Sequence, residues 1–240
     1  MKKYALVTGG SGDIGKAICK RLANDGYFVL VHANSNLNKA QQIVHEIKEE
    51  QGDAVAIQFD VTNYEQTSKS LSTLATKTPI QLIVHNAGIH DDVPLAGMQQ
   101  QQWGKVIDVS LNGFFNVTQP LLLPMMKTRW GRVIAVGSIA GITGNRGQAN
   151  YAAAKSGLSG ACKSLSLELA SRGITANVIA PGIIETNMSK DAFPKEKIKQ
   201  LVPMQRAGTA SEVASLVSFL ASDEAAYISG QVIAINGGMI

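Results

Sequence analysis

Two short stretches of the sequence hold side chains whose types and spacing can do chemistry. In Tyr151-Ala-Ala-Ala-Lys155 a phenol and an ammonium stand four residues apart. On a helix, residues i and i+4 share a face, so the two are neighbours. A tyrosine has an ordinary pKa near 10, and a nearby positive charge favours phenolate and lowers it. Such a pair supplies a proton donor or acceptor near neutral pH, although the same spacing also occurs in plain surface pairs. Ser138 comes earlier, at the end of an apolar run. Its hydroxyl can hydrogen-bond a substrate oxygen beside Tyr151, or serve as an ordinary turn residue. The second stretch, TGGSGDIG (Thr8–Gly15), contains Gly10-x-Gly12-x-x-Gly15 between a short apolar run and a helix-like segment. Glycines so placed give a tight turn, close backbone approach to a pyrophosphate and close helix packing. The anion then sits at a helix N-terminus, where N–H groups and the helix dipole favour it. Asp13 puts a carboxylate in that loop; as an acidic residue at a helix start it is also locally favourable.

These groups need a frame. Short apolar runs recur at 4–8, 27–32, 54–59, 80–85, 132–137, 175–180 and 231–236. Most are nearly continuous rather than alternating, as strands buried on both faces are. Helix-like segments lie between them at 14–25, 37–51, 63–77, 99–127, 150–171 and 209–221. The alternation predicts an α/β fold: a single doubly wound Rossmann-type domain over 1–240, with a seven-stranded parallel sheet and helices on both faces. Three loops, 88–98, 141–150 and 181–197, follow the fourth, fifth and sixth strands. Ligands of such sheets bind at the carboxyl ends of the strands, so the loops should surround one site.

The end of the second strand, VHANSNLNK (31–39), has no acidic residue to hold the ribose 2′-hydroxyl of NAD. His32, Asn34, Ser35, Asn36 and Lys39 are neutral donors or basic. This favours NADPH, while an ordinary polar turn there would be indifferent between the cofactors. Bulk composition excludes other classes. With 22 Lys+Arg against 18 Asp+Glu the net charge is only +4 and no block of like charge stands out, so no nucleic-acid groove is indicated. The two cysteines, Cys19 and Cys162, have no metal-ligand spacing and read as small core residues of a reduced protein; no metal is expected. No apolar stretch approaches the roughly 18 residues of a membrane span, and the N-terminal run is too short for a signal-peptide core. A cytoplasmic protein is expected.

Taken together, TGGSGDIG (8–15), DV (60–61), HNAG (85–88), GS (137–138), YAAAK (151–155), NVIAPG (177–182) and INGG (235–238) resemble the short-chain dehydrogenase/reductase family over essentially the whole length. Within it, GNRGQANYAAAKSG (144–157), SRGITANVIAPG (171–182) and ASDEAAYISGQVIAINGGM (221–239) are similar to the reductases of 3-oxoacyl groups on acyl carrier protein, including relatives in aryl polyene pathways. The resemblance implies roles. Tyr151 would protonate the substrate carbonyl oxygen. Lys155 would depress the Tyr151 pKa and hold the nicotinamide ribose, and Ser138 would orient the carbonyl. The loop Gly9, Gly10, Ser11, Gly12, Asp13, Ile14 and Gly15 would hold the phosphates. Asn86, Ala87 and Gly88 would line the ribose on the adenosine side, Asp60 and Val61 the adenine, and Pro181, Gly182, Ile184 and Thr186 the nicotinamide end.

The sequence departs from the family pattern at Asp13, where glycine is usual; glycines at 9, 12 and 15 follow the spacing of the extended branch instead. The arginine common at the Gly12 position of NADPH-dependent members is absent. Ser110 replaces an asparagine that helps hold a water in a proton relay to the lysine, and Asn112 does not stand in for it if the helix is regular. The resemblance also implies an acidic carrier protein docking on a basic rim of Lys127, Arg129, Arg132 and Arg172, with Arg146 a further candidate; solvated helix ends are the alternative. Apolar residues such as Leu121, Leu122, Leu123, Leu158 and Leu165 would build the contacts of a homotetramer, or simply pack on the sheet. Two other functions remain open: an oxidoreductase of free ketones and alcohols, and a subunit that scaffolds a partner reductase.

Overall fold

Residues 2–186 and 194–240 are described by a computed structural model of the chain. Seven strands form one sheet: β1 (Tyr4–Thr8), β2 (Phe28–Ala33), β3 (Asp53–Gln58), β4 (Ile80–His85), β5 (Gly131–Val136), β6 (Ile174–Pro181) and β7 (Val232–Ile235). All pairings are parallel, in the order β3-β2-β1-β4-β5-β6-β7. The near-continuous apolar runs have a direct cause. Ala5 and Val7 of β1 point into one core layer and Leu6 into the other, because successive side chains alternate faces and both faces are covered. One layer packs against α1 (Asp13–Asn24), α2 (Leu37–Glu49) and α9 (Ala210–Ala221). The other packs against α3 (Tyr64–Lys77), α5 (Gly113–Thr128) and α7 (Ala149–Leu169). Cys19 and Cys162 are buried, one in each layer.

Strand order reverses direction between β1 and β4, the topological switch point where doubly wound sheets bind ligands. The expected loops emerge there. The first holds a 3-10 turn (Leu95–Gly97), and the second begins with the short helix α6 (Ala140–Thr143). In the third, residues 187–193 of the expected 181–197 loop lie outside the described residues; α8 (Lys195–Leu201) follows.

One helix differs from expectation. The segment read as continuous over 99–127 is α4 (Gln100–Ile107), a π-helical turn (Asp108–Asn112) and then α5. Hydrophobic periodicity runs through such a turn without a break, so the sequence does not flag it. At its end the chain makes a close approach: a Cβ on Gly113 would lie 3.1 Å from Val61 Cγ2. Asn116, one turn on, donates to the Val61 carbonyl at 2.8 Å. The π turn places Ser110 in the interior and leaves Asn112 outside, donating to Asp108 at 2.7 Å. Among the described residues no helix is long and apolar enough to cross a membrane.

Candidate active site

The glycine turn starts where β1 ends. Gly9 adopts φ +61°, a conformation costly for a side chain, and its carbonyl accepts the Gly12 N–H at 3.0 Å. Gly15 then packs so closely that a Cβ there would lie 2.2 Å from that same carbonyl oxygen. Gly12 caps α1 without a side-chain bond, and Asp13 is half-buried in the first turn. The first N–H groups of a helix lack intrahelical acceptors. Gly9, Gly10 and Gly12 carry no side chain, so the backbone of this turn is open to close approach, a cradle that fits a pyrophosphate.

Neighbouring strands brace the turn. Asn86 Nδ2 donates to the carbonyls of Thr8 and Gly9, both at 3.1 Å. The Asn86 and Ala87 N–H groups donate to the Thr8 hydroxyl oxygen, both at 3.0 Å. The Asn86 amide thus turns toward the glycine turn rather than outward. His32, expected as a donor near the adenosine ribose, is buried. Its Nδ1 accepts the Gly9 N–H at 3.1 Å and its Nε2 lies 2.8 Å from the Phe59 carbonyl. Burial pushes its pKa down to about 4. Asn36 is likewise engaged, accepting the Lys39 N–H as the cap of α2. Asn34, Ser35 and the Lys39 side chain remain exposed at this end. Gln58 Nε2 holds the Asn34 and Ser35 carbonyls, at 3.0 and 3.3 Å.

Asp60 accepts both the backbone N–H and the hydroxyl of Thr62. Val61, expected beside the adenine, turns its side chain inward under Gly113. Ile184, expected at the nicotinamide end, is also a core residue, packed against Gly208. Both follow apolar strand ends, where spacing alone does not distinguish a lining side chain from a packed one. Pro181 accepts the Ile139 N–H at 3.0 Å. Gly182 lies against Asn236, and Thr186 is half-buried.

At the carboxyl end of β5, the Ser138 hydroxyl oxygen accepts the Ala140 N–H at 3.1 Å. Its carbonyl accepts the Gly141 N–H at 3.0 Å. Gly141 packs on the backbone of Lys155, and a Cβ there would be 2.9 Å from Lys155 C. This contact seats α6 on α7 and brings the Ser138 hydroxyl close enough to the Tyr151 phenol to pull its pKa down. Asn150, fully buried, donates to the Asp91 and Gln102 carbonyls and accepts the Tyr151 N–H. It ties the loop after β4 to the start of α7. Lys155 is buried; its Nζ donates to the Val136 carbonyl at 2.9 Å and lies 5.5 Å from the centre of the Tyr151 ring. Burial lowers the Lys155 pKa to about 8.

The tyrosine behaves differently from expectation. Its pKa is raised, first by burial and also by the Asp92 carboxylate, while the Ser138 hydrogen bond pulls it down. The i, i+4 spacing is present, but desolvation outweighs the help. The ammonium is held on the Val136 carbonyl, on the sheet side of the ring.

The expected basic rim divides. Lys127, Arg129 and Arg172 are exposed. They precede β5 and β6, whereas Ser138 follows β5, so about 20 Å of strand separates them from the catalytic groups of their own chain. Arg132 is not a rim residue at all. It is 2% exposed, donating to the Ser222 carbonyl at 3.1 Å and pairing with Asp223 at 3.3 Å. It lies 4.4 Å from the centre of the Trp130 ring. Arg146 is exposed in the loop before Tyr151. Sequence reasoning missed Thr8, Asn150, Gln58 and His85; for His85 the available signal was a histidine closing an otherwise apolar strand.

Comparison with known proteins agrees with this geometry. The short chain dehydrogenase family pattern matches residues 3–197. The chain is 39% identical to "3-oxoacyl-[acyl-carrier-protein] reductase FabG" of Aggregatibacter actinomycetemcomitans, over the full length of both. It is 42% identical to the protein of that name from Staphylococcus aureus, over all of this chain and 98% of the relative. It is also 42% identical to the 3-oxoacyl-[acyl-carrier-protein] reductase of Synechocystis, over 99% and 97% of the two chains.

Proposed function

The chain belongs to the short-chain dehydrogenase family, and from that premise we propose that it reduces carrier-linked 3-oxoacyl thioesters to 3-hydroxyacyl thioesters with NADPH, the whole of 1–240 acting as one reductase domain. The observation that carries the reading is the placement of Lys155, buried one helical turn from Tyr151 with its Nζ 5.5 Å from the phenol ring centre, at the carboxyl end of the sheet where Ser138 and the glycine turn also lie. A nicotinamide dinucleotide fits this edge: the cradle at Gly9–Gly15 is closed to any added Cβ at Gly15, and the Lys155 ammonium spends one of its three donors on Val136. Bound there, it supplies hydride to the carbonyl carbon.

Tyr151, neutral at pH 7, donates its proton to the carbonyl oxygen as negative charge develops there. Ser138 holds that oxygen beside the phenol, and its hydroxyl favours the phenolate left behind. Lys155, charged at pH 7 with its pKa about 8, stabilises the same phenolate and orients the ribose. The absence of an acid after β2, with Asn34, Ser35 and Lys39 exposed there, supports NADPH over NADH.

An acidic carrier is steered by exposed bases. Arg146 is the base in the loop before its own Tyr151. Lys127, Arg129 and Arg172, at the far edge, are suited to serve the site of another copy in a homotetramer. Phe115, Leu123 and Leu167 are exposed apolar residues on α5 and α7 that such an assembly would cover, whereas Leu121 and Leu158 pack inside the chain.

The test is NADPH oxidation with a 3-oxoacyl thioester, free and carrier-linked, beside NADH and Tyr151→Phe. The reading predicts turnover with NADPH that the carrier enhances and the variant loses. Equal turnover of free ketones, insensitive to salt and without gain from the carrier, would instead make the chain an oxidoreductase of free small molecules.

A further inference from the structure

Histidines close the apolar runs at β2 and β4, and the chemistry above uses neither. His85 is fully buried, and its hydrogen bonds fix its proton. The Thr8 hydroxyl oxygen already accepts the N–H groups of Asn86 and Ala87. Its own hydrogen is therefore the one that spans 3.3 Å to His85 Nδ1. With Nδ1 an acceptor, the proton of the neutral ring sits on Nε2. Nε2 lies 3.0 Å from the Ser110 carbonyl, to which it donates. The ring meets the edge of Phe114 at 5.6 Å between centres. Burial, the nearby Lys155 cation and His32 all keep it uncharged.

The Ser110 carbonyl belongs to the middle of the π-helical turn. The side chain of the same residue is the other half of the observation. Ser110 Oγ is buried and, among the described residues, has no hydrogen-bond partner. A Cβ built on Gly88 would lie 2.8 Å from Lys155 Nζ and 3.5 Å from Ser110 Oγ. The hydroxyl and the ammonium therefore border one small space, which stays open because Gly88 has no side chain. An oxygen facing a buried ammonium favours its charged form. The distance between them is set by where the π turn sits, and the tie from that turn to the sheet is the His85 bond.

We propose that His85 is a positioning residue for the reduction: its neutral imidazole hangs the Ser110 turn from the Thr8 end of β1 and so holds the Ser110 hydroxyl against the Lys155 ammonium. One hydrogen-bonded chain then runs from the glycine turn through Gly9, Asn86, Thr8 and His85 to the backbone of Ser110, whose side chain borders the same space as the catalytic lysine. The proposal rests on the reading of Tyr151 and Lys155 as the reacting pair.

Three variants of the full chain test it. His85→Phe removes both nitrogens and keeps a ring. His85→Asn keeps an acceptor for Thr8 but is too short to reach Ser110. His85→Gln places an N–H near the position of Nε2. Each is measured for melting temperature, for kcat and KM with NADPH and a 3-oxoacyl thioester, and for the titration of Lys155. The last is read in cofactor-free protein by carbon-13 NMR of the lysine ε-carbons, assigned with Lys155→Met. His85→Phe and His85→Asn are expected to lose about 10- to 100-fold in kcat, as for a small misplacement of a catalytic group. KM for NADPH should stay within about threefold, which marks a transition-state rather than a binding effect. Lys155 should titrate lower in both variants, and His85→Gln should restore both readouts. Folded His85→Phe with kcat within about twofold of the parent chain, or with an unmoved Lys155 titration, would overturn the proposal. So would a parallel fall of kcat, NADPH affinity and melting temperature in all three variants, the mark of a merely structural role. If the parent chain turns over no 3-oxoacyl thioester, the functional reading fails, and the Lys155 titration alone then decides for or against His85.

Discussion

Gly15→Ala isolates the close packing of the glycine turn. The added methyl carbon would stand 2.2 Å from Gly9 O, 2.8 Å from Gly10 Cα and 2.9 Å from Asn86 Nδ2. Two of these are backbone atoms, so no side-chain rotation relieves the clash; the Gly9 carbonyl must retreat by about 1 Å to reach ordinary contact. That carbonyl accepts both the Gly12 N–H and Asn86 Nδ2. Losing both bonds costs about 2 kcal/mol, and overpacking adds about 1–3 kcal/mol. Replacing glycine within a helix returns at most about 1 kcal/mol. The net loss, about 2–4 kcal/mol, is divided between folding and cofactor binding. Urea unfolding and NADPH fluorescence titration read the two parts, and their sum is the quantity predicted. Gly12→Ala provides the contrast within one motif. Its Cβ would meet only Gly9 O, at 3.4 Å, and its φ of −83° suits any residue. Its summed loss in folding and binding should be smaller than that of Gly15→Ala by at least about 1.4 kcal/mol, a factor of about ten. If Gly15→Ala unfolds and binds NADPH as the parent chain does, the Gly9 carbonyl does not pack against Gly15.

Tyr151→Phe should cut kcat by about 10²–10⁴, the usual contribution of a positioned proton donor, while NADPH titration shows binding retained. Arg132→Ala should lower stability by about 2–4 kcal/mol in urea, since it strips partners from buried and part-buried carbonyls. Paired Arg129→Ala and Arg172→Ala should leave the unfolding midpoint unchanged and raise KM for the carrier-linked substrate, more at low salt than at high. Acid should destabilise the fold. His32 and His85 titrate at about 4 and about 3 when folded, against an ordinary value of 6.5. Below pH 6.5 the unfolded chain takes up protons that the native one refuses, so stability falls as pH falls toward 4. Each histidine contributes a slope of up to about 1.4 kcal/mol per pH unit. Urea midpoints at pH 7, 6 and 5 measure it, and His32→Asn should remove about half of the slope from these two residues; a curve unchanged by that substitution would refute the assignment.

The sequence by itself determined the sheet and the place of the site. Runs such as YALVT and RVIAVG are apolar throughout because both faces of a parallel sheet are covered, and that burial is a property of composition and order alone. Tyr151 and Lys155 were legible for the same kind of reason: a helix converts a spacing of four into a shared face. Tertiary structure decided what each side chain meets. Arg129, Arg132 and Arg172 read alike as exposed bases, yet the side chain of Arg132 falls inside, held on the carbonyl of its neighbour Gly131 and on the Ser222 carbonyl ninety positions away. His32 and His85 read as strand ends, and their roles depend on Gly9 and Ser110, which reach them from other elements. The π turn that places Ser110 leaves no trace in a periodicity of 3.6. The Tyr151 pKa turns on burial, which no spacing records: the sequence sets the ammonium on the right face, and the packing around the phenol decides the direction of the shift.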